Sequence, residues 1–394
     1  MPLIQSKYMS AAVIDCIRAA LFDLDKSHPA LDHPWTGETR LDNLQGGDVA
    51  LGLKSLDLMN IASDFADKYS IGLAALDDLL LSKRTLQDWT DLACRAINLC
   101  QAQSDPDLRA QLVFQTSGTT GAAKHVCHAL DFLDVELNQW QQRLKDRKRI
   151  VSLVPHHHIY GFLFGVALPS YADIPVVRIK HAMPGGLVSK LKPGDLVIGH
   201  PAFWDLFARQ TTLHNRLIND VVFVNSTGPL LEETQTVLKD LVIKDFIEIY
   251  GSTETGAIGV RHKADELYRL MPYWQRQDGK LVHDQNGQLY EVQDHLVWQG
   301  FDQFSLAGRK DDMVQVGGIN VSLNSLARSI EGLETSIRSC TVRLEKADFK
   351  QQLIVDVTTE TGADQAILKH KIRDYFERAL SVGITPIILF QEYS

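Results

Sequence analysis

The stretch that decides the fold is QTSGTTGAAK, Gln115 to Lys124, delivered by the apolar run Leu112, Val113 and Phe114. Short hydroxyl side chains, together with backbone N–H groups exposed at glycines, make a concave set of donors suited to phosphate oxygens, and Lys124 adds a mobile positive charge. The spacing is not that of a P-loop, because GTTGAAKH lacks both the GxxxxGK interval and the final Ser or Thr, and GxGxxG is absent too. A flexible Ser/Thr/Gly linker would have a similar composition. What favours a ligand site is the preceding strand, since open α/β sheets hold ligands at the carboxyl ends of their strands.

Working outward, short apolar runs bounded by turn residues follow one another: QLVFQ, RIVSLVP, PVVRI, DLVIGH, DVVFVNS and DFIEIYG. Helical spacing falls between them at Leu130 to Leu144 and Leu231 to Leu241. Strands alternating with helices predict a largely parallel sheet covered on both faces. Before this core, Val13, Ile14, Ile17, Leu21 and Leu24 recur at helical intervals, with Ser10 as the expected N-cap. Further helices are expected from Ser55 and over Leu86 to Leu99, so residues 5 to 100 read as a small all-helical unit. After Gly308, VQVGGINVS, Leu323 to Leu333, CTVRLEK, QLIVDVTT, Ala363 to Leu380 and PIILFQ predict a small α+β unit.

The 394 residues carry 49 acidic and 40 basic side chains, a net charge of −9. That balance argues against an extended phosphate-backbone contact surface, and so against a nucleic-acid partner. Five scattered cysteines without CxxC spacing suggest neither a disulfide framework nor a zinc cluster, and a reducing cytoplasm is the expected location. The first residues lack the basic flank and apolar core of a signal peptide, and no apolar run approaches the roughly 20 residues of a membrane span. PHHHIYGF, Pro155 to Phe162, invites a metal reading, but adjacent side chains of an extended segment alternate in direction and would not converge on one ion.

TSGTTGAAK resembles the phosphate-binding signature TSGTTGxPK of the AMP-forming adenylating superfamily, with Ala123 in the usual proline position. IEIYGSTETG, Ile247 to Gly256, resembles that family's second signature. The resemblance implies a fold of class α/β: a small N-terminal helical bundle, a reduced adenylating-enzyme core and a small C-terminal α+β domain. It implies that ATP phosphates meet Thr116, Ser117, Gly118, Thr119, Thr120, Gly121 and Lys124. Tyr250, Gly251, Ser252 and Thr253 would line the nucleotide, and Glu254 would be the carboxylate associated with Mg²⁺. VFVNSTGPL resembles the family's adenine and acyl-pocket turn, which assigns Thr227 and Gly228. Asp294, fifteen positions before Arg309 of GRKDD, matches the ribose-binding aspartate, although VQD replaces the usual TGD. Asp311 falls at the family's inter-domain hinge, with GGIN (Gly317 to Asn320) after it. His158 matches the acyl-pocket gate, and Gly161 the close-approach glycine. Lys124, Glu254 and His158 are the implied catalytic residues.

LGLKSLDLMNIASDFADKYSIG resembles the core of acyl carrier proteins, with Ser55 at the position that takes 4'-phosphopantetheine and Lys54 in place of the usual aspartate. An unmodified helical domain with Ser55 as a helix cap is the other reading. The expected domains are therefore a carrier-like unit over 1–105, an adenylating core over 106–308 and a mobile unit over 309–394. The chain ends PIILFQEYS without the PRxxxGK segment of the family, so no terminal lysine is assigned. The expected activity is joining of a carboxylic acid, acyl or aryl, to AMP, then transfer to a carrier-protein or CoA thiol. The alternative is a non-catalytic module that binds adenylates or carrier proteins.

Overall fold

The computed structural model describes every residue except 1–3, 43–49, 104, 106–108, 117–123, 180–182, 211, 213–218, 263–264, 266, 311–312, 317–318, 348–349, 381–384 and 393–394. The amino-terminal third is helical: α1 (Ser6–Leu24), α2 (Ser55–Lys68), the short α3 (Asp77–Leu80) and α4 (Leu86–Gln101). Helix α1 buries Met9, Ala12, Val13, Ile17 and Leu21 on one stripe. Its N-cap is Gln5 and not Ser10, which lies inside the helix. The start is set by tertiary contacts the sequence pattern does not contain: Ile4 N donates to Asn98 Oδ1 at 3.0 Å and Gln5 N to Ser170 Oγ at 3.2 Å. Helix α4 opens with a reciprocal capping box, Asp88 N to Thr85 Oγ1 at 3.0 Å and Thr85 N to Asp88 Oδ2 at 3.2 Å.

Next come the antiparallel hairpin β1 (Gln111–Thr116) and β2 (Lys124–Ala129), then α5 (Leu130–Arg143). Among the described residues β1 pairs only with β2 and is not a strand of the large sheet, which corrects the expectation that the polar loop leaves an open α/β sheet.

The nine-stranded sheet is half parallel. β4 (Val176–Arg178), β3 (Arg149–Ser152), β5 (Asp195–Gly199), β6 (Val221–Asn225) and β7 (Asp245–Ser252) lie side by side in parallel. β8 (Gly256–Arg261), β9 (Tyr268–Leu270), β14 (Gln303–Arg309) and β13 (Asp294–Gln299) continue it antiparallel. A largely parallel sheet is thus corrected to a mixed one. Part of the antiparallel half was hidden because β9 is only three residues long and the edge strand β13 alternates in burial. β10 (Trp274–Gln277), β11 (Lys280–His283) and β12 (Leu289–Tyr290) form a small separate sheet.

The parallel strands are apolar on both faces, as burial under two layers demands. Leu196 and Ile198 of β5 and Val222 and Val224 of β6 face one apolar cluster, while Val197, Val221 and Phe223 face a second containing Trp204 and Phe207. The first cluster also contains Met9, Val13 and Ile17 of α1, Phe65 of α2 and Trp89 of α4, so the amino-terminal helices share a core with the sheet. Asp15 of α1, only 5% exposed, ties this junction: it accepts from His156 N at 2.8 Å and pairs with Arg178 at 2.5 Å.

The last part holds β15 (Met313–Val316), β16 (Ile319–Ser322), the helix Leu323–Glu331, β17 (Ile337–Ala347), β18 (Lys350–Thr359), the helix Gln365–Ala379 and β19 (Ile387–Glu392). Its apolar residues, among them Ile330, Leu353, Ile372 and Phe376, form a third cluster of their own.

Candidate active site

Two hairpins meet here. In the first, strand register runs from Gln111 opposite Ala129 to Thr116 opposite Lys124, the two residues that flank the polar segment. Ser117, Gly118, Thr119, Thr120 and Gly121 lie outside the described residues, as do Asp311, Gly317 and Gly318. Thr116 closes β1 and Lys124 opens β2. Lys124 is exposed and its Nζ lies 3.0 Å from Glu254 Oε1.

Glu254 sits in the turn between β7 and β8, the second hairpin, where the register slips between Tyr250 and Gly251. Both glycines of YGSTETG are required by close approach. A Cβ on Gly251 would lie 2.0 Å from the Gly256 carbonyl oxygen, and one on Gly256, at φ +62°, would lie 2.4 Å from Glu136 Oε2. Ser252 N donates to Thr255 Oγ1 at 3.1 Å inside the turn. Burial would raise the Glu254 pKa, but bonds from Lys124, from its own backbone N–H and from Ser252 outweigh it and hold the carboxyl below its ordinary value. Among the described residues no three His, Cys, Asp or Glu side chains gather as a metal cluster. A single carboxylate suits Mg²⁺ that arrives on phosphate oxygens, because this ion keeps most of its other ligands as phosphate and water.

The nucleotide-lining candidates also come together. Tyr250 Oη donates to Asp294 Oδ2 at 2.7 Å, with its ring packed against Tyr268 and Phe304. Asp294 and Arg309 are direct cross-strand partners at the open end of the β13–β14 hairpin, which is why fifteen positions separate them. Thr227 holds φ +76°, a left-handed conformation that costs a β-branched residue of order 1–3 kcal/mol and is met mostly at functional sites. Beside it, fully buried Asn225 donates through Nδ2 to the Gly228 carbonyl at 3.2 Å, while its Oδ1 has no hydrogen-bond partner among the described residues.

The three histidines lie on a turn, not an extended segment, so the alternation expected of them does not hold: the rings of His157 and His158 face each other at 4.0 Å. His156 is buried and its Nε2 lies 2.9 Å from Ser152 Oγ. His158 is the N-cap of the helix Ile159–Phe162. It is an exposed residue, and the protein around its ring and then the Lys68 charge push its pKa down. Gly161 has no room for a Cβ, which would fall 1.9 Å from the Pro155 carbonyl oxygen. Tyr160 Oη donates to the Val224 carbonyl at 3.2 Å, tying this segment to the strand that leads to Thr227.

Ser55 stands apart. It is the first residue of α2 and exposed; the N-cap is Lys54, and no side-chain cap bond forms, so the helix-cap reading is corrected. The far end of the same helix reaches the histidine turn, with Lys68 Nζ donating to the His157 carbonyl at 3.1 Å. At 1.5 Å per residue, Ser55 lies about 20 Å back along the axis.

Two residues of the site were missed in the sequence. His128, 4% exposed, places Nε2 2.5 Å from the Thr253 carbonyl, and Glu136, 3% exposed, accepts from Ala257 N at 2.9 Å. Both carry a legible signal. His128 falls on the inward-facing positions of β2, and Glu136 lies four residues from both Phe132 and Trp140 on the buried stripe of α5.

A lysine that meets a lone carboxylate, with a tyrosine on the strand leading to that carboxylate bonded to an aspartate, makes a candidate nucleotide site. The chain belongs to the AMP-binding enzyme family, whose sequence pattern matches residues 64–289. It is 32% identical over 357 residues to the 4-coumarate–CoA ligase of Cereibacter sphaeroides, covering 89% of this chain and 82% of that protein. The 4-coumarate–CoA ligase of Halorhodospira halophila is 30% identical over 326 residues, 82% of this chain and 80% of that protein. Among solved structures, a malonyl-CoA ligase ternary product complex with methylmalonyl-CoA and AMP bound superposes with a TM-score of 0.57 at 17% identity, over 72% of this chain and 70% of that one. The o-succinylbenzoate CoA synthetase of Bacillus subtilis gives 0.58 at 13% identity, over 71% and 65%. These two likenesses concern the fold alone.

Proposed function

We propose that the protein joins a carboxylic acid to CoA through an acyl-adenylate. The carboxylate oxygen attacks the α-phosphorus of ATP and pyrophosphate leaves; the CoA sulfur then attacks the acyl carbon and AMP leaves. The observation that supports this reading is the contact of Lys124, where β2 opens, with Glu254 in the β7–β8 turn, a cation beside a metal-suited carboxylate. Lys124 and donors of the 116–121 segment neutralise phosphate charge as it develops, and Asp294 accepts from the ribose hydroxyls. Mg²⁺, when bound at Glu254, neutralises the phosphate oxygens. His158 lines the acid's carboxylate. Resemblance to two 4-coumarate–CoA ligases favours an aryl-propenoic acid as substrate. We take CoA and not a carrier protein as the acceptor, and we divide the chain functionally near residues 105 and 309.

The test is acid-dependent ATP–pyrophosphate exchange with a panel of aryl and alkyl acids, followed by thioester formation with CoA. Exchange and aryl-CoA formation are expected. Absence of exchange with every acid overturns the activation step; exchange with transfer to a carrier protein but not to CoA overturns the acceptor. Intact mass after coexpression with a phosphopantetheinyl transferase reports on Ser55, and an unchanged mass is expected.

A further inference from the structure

The hairpin bearing Lys124 and the turn bearing Glu254 belong to different parts of the chain, and something has to hold them in register. The Lys124–Glu254 pair is a poor candidate, because both side chains are substantially exposed, 63% and 41%, and such pairs are weak. The buried contact is better placed. The Thr253 carbonyl can only accept, so His128 Nε2 must carry the proton. The imidazole is stacked on Phe132, with ring centroids 5.0 Å apart and planes at 21°, and Phe132 in turn packs on His283 at 4.2 Å. One turn further along α5, Glu136 accepts from Ala257 N and so fixes the other end of the same turn. Residues 128 to 136 therefore form one template that grips the Glu254 turn on both sides and follows directly from the strand that Lys124 opens.

We infer that His128 is a positioning residue for MgATP: its Nε2–H bond to the Thr253 carbonyl sets Glu254 against Lys124 and the phosphate-loop hairpin. This deepens the proposed function and rests on its assignment of the nucleotide site. The contact acts through backbone and touches no reacting atom. Its loss leaves a carbonyl unmet and the turn free to shift, which a buried hydrogen bond of ordinary strength converts to roughly a tenfold change in affinity.

The experiment uses the full chain and three variants, His128→Phe, His128→Gln and Phe132→Leu, with MgATP affinity by calorimetry and, in parallel, KM for MgATP and for the acid in the exchange assay. H128F keeps the ring and loses the donor; its MgATP affinity falls about tenfold while the KM for the acid stays within twofold. H128Q keeps a donor and recovers affinity to within threefold. F132L removes the stacking partner but not the donor and also stays within threefold. Unchanged MgATP affinity in H128F overturns the inference, as does an equal loss in all three variants, which would mark general loosening. Should H128F not fold, an affinity loss of tenfold in H128Q overturns it. Wild-type protein that binds MgATP without exchange sinks the acid-activation reading and leaves the inference to be judged on affinities alone.

Discussion

Replacing Gly256 by alanine loads two separate penalties on the Glu254 turn, and they can be measured apart. The backbone there holds φ +62°, and an L-residue forced into the left-handed region loses about 1–2 kcal/mol. The new Cβ would also lie 2.4 Å from Glu136 Oε2, too close to stay. Glu136 must move aside and give up the bond from Ala257 N, leaving a buried N–H unmet at about 1–3 kcal/mol. The total expected for G256A is about 2–5 kcal/mol. In an E136A background the second penalty is already absent, so G256A should then cost only about 1–2 kcal/mol. Urea unfolding followed by tryptophan fluorescence, with unchanged slopes, gives all four corners of the cycle. Equal costs in both backgrounds, or a cost under about 0.5 kcal/mol in the wild type, would refute the reasoning.

Other outcomes follow from the same geometry. Lys124→Met should lower kcat/KM for MgATP by about 10²-fold, as loss of one charge-stabilising donor does, while shifting stability by less than about 0.5 kcal/mol, since its partner is exposed. Tyr250→Phe removes the 2.7 Å bond to half-buried Asp294 and should weaken ATP by about fivefold in calorimetry, with the acid KM unchanged. His262 has its pKa raised by its hydrogen bond to Asp245, against the opposing effect of burial. A raised folded pKa means stability that is fully present below the unfolded value of about 6.5 and is lost as pH rises through the folded value. In urea titrations between pH 6 and 9 the wild type should lose more stability than His262→Gln over that window; parallel curves would refute it.

Much of the architecture could be read from residue order because the informative segments are locally consistent. The parallel strands are continuous apolar runs, and the helices starting at Ser55, Leu86 and Leu130 begin where the periodicity does. What was not legible depends on contacts between distant residues. The start of α1 is fixed by Asn98 and Ser170, and β1 joins a hairpin because its partner is the strand after the polar loop. The carboxylate and lysine of the site were visible as motifs. Their supports, His128 and Glu136, show in the sequence only as polar residues at inward-facing positions, which gives no hint of the backbone group each one serves.

The junction at Asp15 also has a meaning for synthesis on the ribosome. Its backbone partner, His156 N, is 141 positions further along the chain, and at about 5–20 residues per second that separation is a wait of about 7–28 s. Throughout that interval α1 has been made, yet the stripe of Met9, Val13 and Ile17 has no sheet to lie on. Helix α4 can cover part of that stripe once residue 101 is made, but the rest waits for the sheet, and a chaperone that holds this first stretch until β3 and the histidine turn emerge would raise the yield of folded protein.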